Sequence, residues 1–148
     1  MHPDGRTLVV AADAGHARIF EERRQGGRLI EHPEWLEAVT AGTGPRSSSG
    51  AVHDRMGQAL HGTSARPAAE QLLDQFCGRL AARIITVFRT ERFDGLALFA
   101  PPRALGRLRE HLSPLIRSRS VLDAPLDLLA ETSEGLRSRL RDIRFDVA

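Results

Sequence analysis

The chain has 148 residues, of which 41% are hydrophobic and 27% charged, a composition typical of one folded globular domain and not of a disordered or membrane-spanning chain. All 21 basic residues are arginines, and the net charge of +2 does not by itself identify a class of partner. Cys77 is the one cysteine, which excludes an intramolecular disulfide and a cysteine-based metal site. No signal peptide or transmembrane-length apolar segment is recognisable, so we expect a cytoplasmic protein without membrane contact.

The first third of the sequence predicts three short strands. The run TLVVAA at residues 7–12 is apolar throughout, as in a strand buried on both faces. Residues 17–22 alternate in strand fashion, and residues 28–36 are expected to form a third strand. Because Pro33 cannot donate to a ladder, that strand is placed at the edge of the sheet. Tight turns between these strands indicate an antiparallel meander.

Residues 40–66 interrupt this pattern. They are rich in Gly, Ser, Thr, Ala and Arg and have no apolar period, which predicts a long flexible loop within the domain. From Ala68 the apolar period becomes helical, and Pro67 is expected in the first helical turn.

The rest of the chain alternates between strands and helices. Strands are predicted at 95–100 and 121–122, and helices follow at 102–112 and 133–142. The order β-β-β-α-β-α-β-α, with right-handed crossovers, predicts a mixed five-stranded sheet of strand order 3-2-1-4-5 with helices on its faces. This is an α/β, ribonuclease-H-like arrangement, and we expect residues 1–148 to form a single domain.

Asp13 ends the first strand, where ribonuclease-H-like nucleases place a ligand of their Mg²⁺ ions. Two-metal chemistry needs several converging carboxylates. Strand 95–100 carries none, and only Asp123 and Asp127 are available on the last strand and after it. We therefore expect Asp13 to accept backbone hydrogen bonds in its Asp-Ala-Gly turn. The histidines lack zinc-site spacing, so neither a metal nor a cofactor is predicted.

The segment HDRMGQALHGTSARP, residues 53–67, carries the sharpest functional hypothesis. Gly57 stands beside Gln58, whose amide can donate and accept hydrogen bonds. Arg55 and Arg66 flank them and can hold a phosphate backbone. The competing interpretation is a solvated loop in which Asp54 pairs with a neighbouring arginine. Residues 79–119 add nine arginines against three acidic residues, which fits a basic face or ordinary solvated helices.

Several segments together resemble the host attachment protein family. They are LVVAADAGHARIFE with Asp13 and Arg18, the Asp54-Arg55-Met56-Gly57 segment, FDGLALFAPPRALGRLREHL with Arg103, and Asp127 after the last strand. These motifs occur in the family's order and cover nearly the whole chain.

The resemblance implies a relationship to the middle domain of archaeal and eukaryotic release factors and Pelota, which has a ribonuclease-H-like fold. Release factors carry a Gly-Gly-Gln motif on a loop before the long helix, and Gly57-Gln58 stands at the equivalent place. Met56 replaces the first glycine and restricts the backbone there, which argues against peptide release. The implied function is therefore a non-enzymatic domain that faces RNA or the ribosome. RNA contacts are expected from Arg55, Gly57, Gln58, Arg66 and Arg103, and structural roles from Asp13, Arg18 and Asp54.

Two alternatives remain open. The first is a hydrolase of peptidyl-tRNA or of phosphodiesters, with Gln58 or a metal at Asp13 as the catalytic candidates. The second is a protein-interaction module that takes part indirectly in attachment to host cells.

Overall fold

The computed structural model describes residues 5–39, 46–113, 115 and 120–147, with the side chains of 46–66, 120, 146 and 147 outside that description. Within those residues the chain forms five strands and four helices. The strands are β1 (Thr7–Ala12), β2 (Ala17–Glu22), β3 (Leu29–Glu31), β4 (Gly95–Phe99) and β5 (Ser120–Ala124). The helices are the 3₁₀ helix Pro33–Leu36, α1 (Arg46–Thr90), α2 (Pro102–His111) and α3 (Ser133–Val147).

The strands form one mixed sheet in the order β3-β2-β1-β4-β5. β2 pairs antiparallel with both β1 and β3, whereas β4 pairs parallel with both β1 and β5. Parallel neighbours need crossover helices, which cover the sheet faces and make the central strands apolar throughout. The predicted ribonuclease-H-like sheet with strand order 3-2-1-4-5 is confirmed.

The sheet divides the core into two layers. On one face, Leu8 of β1 packs in a cluster with Leu80 of α1 and residues of α2. On the other face, Val9 of β1 packs in a cluster with Leu136 of α3. Because successive strand side chains point to opposite faces, β1 supplies both layers, and all six of its residues are buried.

The third strand is shorter than the sequence predicts. β3 ends at Glu31, and Pro33 begins a 3₁₀ helix, so the prediction of a strand over 28–36 is wrong beyond residue 31. Proline lacks an N–H and has a fixed φ, which suits the first turn of a helix better than a ladder. Trp35 lies in this helix, with its ring stacked on His32 at 3.8 Å between centroids and edge-on to Phe93 at 5.9 Å.

The first long helix begins earlier than predicted. α1 starts at Arg46 and contains Pro67, so the prediction of a loop over 40–66 is wrong for the backbone of 46–66, and 40–45 lie outside the described residues. The glycines and serines that suggested a loop lower helix propensity by only about 1 kcal/mol or less each, a preference that context overrides. Proline removes one helical hydrogen bond, and the helix continues through it. None of the described helices is both long and apolar enough to cross a bilayer.

Two leucines on α1 test the assignment of its buried face. Leu80 is fully buried in the cluster between α1 and the sheet, whereas Leu72 is 54% exposed. Leu80→Ala is expected to lower the free energy of unfolding by about 2–5 kcal/mol, because it leaves a cavity. Leu72→Ala, the matched control, is expected to change it by about 0.5 kcal/mol or less. Urea denaturation measures both; equal losses would contradict the packing described for α1.

Candidate nucleic-acid interface

Asp13 is the cap of the turn between β1 and β2. Its Oδ1 accepts hydrogen bonds from the backbone N–H groups of Gly15 at 2.9 Å and His16 at 2.7 Å. Its own N–H donates to the His16 carbonyl at 2.9 Å. These are the hydrogen bonds of the predicted Asp-Ala-Gly turn. Within the part of the chain that the structure describes, no group of three or more His, Cys, Asp or Glu side chains can hold a metal ion.

Arg18 connects the sheet to the segment after β5. Its guanidinium donates two hydrogen bonds to the Glu31 carboxylate, at 3.0 and 2.8 Å. A further nitrogen donates to the carbonyls of Leu129 at 2.9 Å and Glu131 at 2.6 Å. The hydrogen bonds with Glu31 outweigh the effect of burial and raise the pKa of Arg18. With four donated bonds inside the protein, this guanidinium joins three segments, in keeping with a structural role.

Arg103, the predicted RNA contact on α2, forms an ion pair with Glu70 of α1. Glu70 also accepts from Arg107 at 3.1 Å, and Asp74 accepts from His111 at 3.1 Å. These pairs form a ladder of opposite charges between α1 and α2. The ladder stands beside an apolar cleft of about 420 Å³, bounded by Leu73 and the Pro101 segment. Arg103 remains 73% exposed, but Glu70 already balances its charge.

The predicted residues of segment 53–67 lie on the helical backbone of α1. The side chains of Asp54, Arg55, Gly57, Gln58 and Arg66 are outside the described residues, so their roles stay predictions. Asp13 and Arg103 lie at the same edge of the sheet, near the carboxyl ends of β1 and β4.

A second basic surface lies on the opposite side of the sheet, and the sequence reasoning missed it. It consists of the β2–β3 turn and one face of α3, and we call it the turn–α3 surface. Its cleft is lined by Gln25, Gly26, Arg137, Arg141, Arg144 and Phe145, and Arg24 and Arg28 are exposed in the same turn segment. Arg137 holds the two parts together, since its Nε and Nη2 donate to the Gly26 carbonyl at 3.1 and 2.9 Å. Gly26 has a φ of +85°, which glycine adopts without strain.

A buried ion pair anchors this surface. The Glu22 side chain, 1% exposed, accepts two hydrogen bonds from the Arg144 guanidinium, both at 2.7 Å. The Gly26 N–H donates to the same carboxylate at 3.1 Å, and Arg144 also reaches the hydroxyl of Thr7 at 3.3 Å. A carboxylate that is buried away from solvent needs a cation and hydrogen-bond donors of this kind to compensate for its lost hydration. Arg144 thus has a structural role, because it compensates the buried carboxylate of Glu22.

A cleft of about 290 Å³ opens beside this pair. Its lining residues are Glu22, Gln25, Gly26, Arg137, Arg141, Arg144 and Phe145. Arg141 is exposed and has no ion-pair partner among the described residues, and Phe145 is 83% exposed. Arg144 is paired with Glu22 and Arg137 lies 3.4 Å from Glu134, so Arg141 is the guanidinium of this cleft that lacks a carboxylate partner among the described residues. The spacing of Arg137, Arg141 and Arg144, at i, i+4 and i+7 before a phenylalanine, is the sequence signal of this stripe.

Glu21 and Cys77 are two further titratable groups, and both act within the fold. Glu21 accepts from Arg6 at 2.7 Å and contacts His32 at 2.9 Å, while His32 contacts Glu34 at 2.7 Å. These contacts attach the 3₁₀ helix to the sheet. Burial, followed by the charge of Asp74, raises the pKa of the Cys77 thiol to about 11, so this thiol is inert at neutral pH.

The anchoring role of Arg144 can be tested against its neighbour on α3. Arg144→Gln leaves the Glu22 carboxylate buried without its cation, and the free energy of unfolding is expected to fall by about 3–5 kcal/mol. Arg141→Gln removes an exposed guanidinium from the same helix and is expected to cost about 0.5 kcal/mol or less. Chemical denaturation of both variants provides the comparison. Losses of equal size would show that Glu22 does not depend on Arg144.

The Glu21 contacts predict a pH dependence. Burial raises the pKa of Glu21, but hydrogen bonds from Arg6 and His32 and the charges of Arg6 and Arg23 outweigh it, so the pKa is lowered. The pKa of Glu21 is therefore lower in the folded protein than in the unfolded chain, where a glutamate has a pKa of about 4.3. Ionised Glu21 stabilises the fold above that pH, and this stabilisation is lost as the pH falls through the pKa of the folded protein.

The stability difference between the wild type and Glu21→Gln is therefore expected to be full above about pH 5 and to shrink below about pH 4. Thermal melts across this range measure it. Glu110→Gln, an exposed glutamate on α2, is the control and should give a small difference. A Glu21→Gln difference that does not change with pH would contradict the inferred shift.

Comparison with known proteins identifies a family for this chain. No curated protein matches the chain significantly. The family described as "Protein required for attachment to host cells" matches residues 8–140, from β1 into α3. The match covers β1 from its second residue, the other four strands in full, and both residues, Asp13 and Arg18, that the sequence assigned to the family's first two strands. The chain therefore belongs to this host attachment family.

Proposed function

We propose that this host attachment domain binds RNA, free or on the ribosome, and that the turn–α3 surface makes the backbone contacts. One observation supports this proposal most: the β2–β3 turn segment and the cleft beside it together carry more arginines than carboxylates to balance them. Arg24, Arg28 and Arg141 are exposed and have no ion-pair partner among the described residues. Arg144 is balanced by Glu22, and Arg137 shares its charge with Glu134 at 3.4 Å.

The chemistry of these side chains favours phosphate as the ligand. A guanidinium presents a planar fork of donors that matches two phosphate oxygens, and it keeps its charge at every physiological pH. The hydrogen bonds from Arg137 to Gly26 hold the turn against α3, so Gln25 and Gly26 of the turn line the same cleft as the arginines of the helix. A surface of this kind positions a nucleic-acid backbone without reading its sequence.

The fold agrees with this proposal. The sheet order and helix placement are those of the ribonuclease-H-like arrangement that the resemblance to release-factor middle domains implied. In that interpretation, segment 53–67 with Arg55, Gly57, Gln58 and Arg66 is a second RNA contact. Arg103 can join it only by releasing Glu70, because a phosphate would compete with that carboxylate for the guanidinium.

The proposal predicts salt-dependent RNA binding that depends on one face of the sheet. We expect the double variant Arg24→Ala/Arg141→Ala to weaken binding of a labelled ribosomal RNA fragment about tenfold or more at low salt. The slope of log K against log salt should also fall by about 1 for every phosphate that the variant no longer binds. Fluorescence anisotropy at several salt concentrations measures both quantities.

Arg79→Ala/Arg89→Ala is the matched control, since both arginines are exposed on α1, across the sheet. This pair should leave the affinity nearly unchanged. Arg55→Ala/Arg66→Ala tests the predicted contacts on segment 53–67 separately. Absence of salt-dependent binding, or equal losses of affinity for the α1 control and the turn–α3 variant, would overturn the proposal.

A further inference from the structure

We infer that the cleft between Arg141 and Phe145 accepts one unpaired base, so that the RNA bound by this surface is single-stranded at that point. This inference rests on the proposed function and adds the class of RNA to it. Phe145 is the key residue, because its exposure differs from that of every other phenylalanine in the chain.

The chain has six phenylalanines, and five of them are core residues. Phe20, Phe76, Phe88, Phe93 and Phe99 are each at most 4% exposed. Phe145 is 83% exposed and lines the cleft together with the guanidinium groups. It therefore contributes little to the core. An exposed aromatic ring beside arginines is the arrangement on which unpaired bases stack while their phosphates contact the cations.

The cleft has nearly the volume of a small-molecule site, and its walls are partly fixed. Its volume of about 290 Å³ is near the lower limit for small-molecule sites, roughly 300 Å³. Two of its walls are fixed, because Arg137 is bound to Gly26 and Arg144 to Glu22. Arg141 lies one helical turn before Phe145 and is free to contact a phosphate. A base in a duplex hides its faces in the stack and cannot use this ring.

The same helix is poorly suited to a membrane surface. An interfacial helix buries a broad apolar face in the lipid. The apolar face of α3, with Leu136 and Leu140, is already packed against the sheet. Phe145 is the large apolar side chain that α3 leaves exposed among the described residues. A single ring beside a concave arginine cleft fits a base better than a bilayer.

The test compares a labelled ten-nucleotide RNA with the same strand paired to its complement, by fluorescence anisotropy at low salt. Phe145→Ala is expected to weaken single-strand binding about tenfold and duplex binding less than twofold. Phe145→Trp should restore single-strand binding, because the indole also stacks. Arg141→Ala is expected to weaken binding of both RNAs. Phe145 is exposed, so its variants should keep the wild-type melting temperature.

The outcomes separate the inference from the function on which it rests. If Phe145→Ala leaves both affinities unchanged while Arg141→Ala lowers both, the base site is overturned and RNA binding stands. If neither RNA binds the wild type, both are overturned. Vesicles of phosphatidylcholine and phosphatidylglycerol form a third arm. If Phe145→Ala weakens binding to these vesicles but not to the single strand, the ring is a lipid contact and the inference is wrong.

Discussion

The turn–α3 surface depends on one buried ion pair. Glu22 is a carboxylate at the end of β2 with almost no access to solvent, and its burial requires a compensating cation and hydrogen bonds. Arg144 supplies that cation from 122 residues further along the chain, through two hydrogen bonds. Because the pair joins β2 to α3, it fixes the helix over the sheet. Arg137 can then reach the Gly26 carbonyl, and Arg141 and Phe145 come to line a common cleft.

Much of the fold follows from local sequence patterns. The apolar runs of β1 and β4 and the turn residues after β1 predict the strands, and alternation of strands with helices leaves few possible orders. The limits of β3 and α1 were harder to predict. Pro33 indicated an edge strand but suits the first turn of a helix as well. In residues 46–66, the glycines and serines argue only weakly against a helix, so composition alone could not locate its start.

The site was less predictable than the fold, for a physical reason. The sequence shows that an arginine is charged, but it does not show which carboxylate pairs with it. Arg103 was expected to contact RNA, yet Glu70 on another helix forms an ion pair with it and balances its charge. Conversely, the β2–β3 turn and α3 are more than 100 residues apart, and only the folded sheet brings them together. The helical spacing of Arg137, Arg141, Arg144 and Phe145 is visible in the sequence, whereas their contact with the β2–β3 turn is not.

The most direct test of the turn–α3 surface is an NMR titration of the isotope-labelled protein with a short single-stranded RNA. We expect the backbone amide shifts that move most to belong to residues 23–28 and 137–145, on one face of the sheet. Arg24, Gly26 and Arg141 should be among them. Shifts confined to α1 and α2 around Glu70 and Arg103, or no shifts at all, would contradict the assignment of the turn–α3 surface as the RNA-binding face.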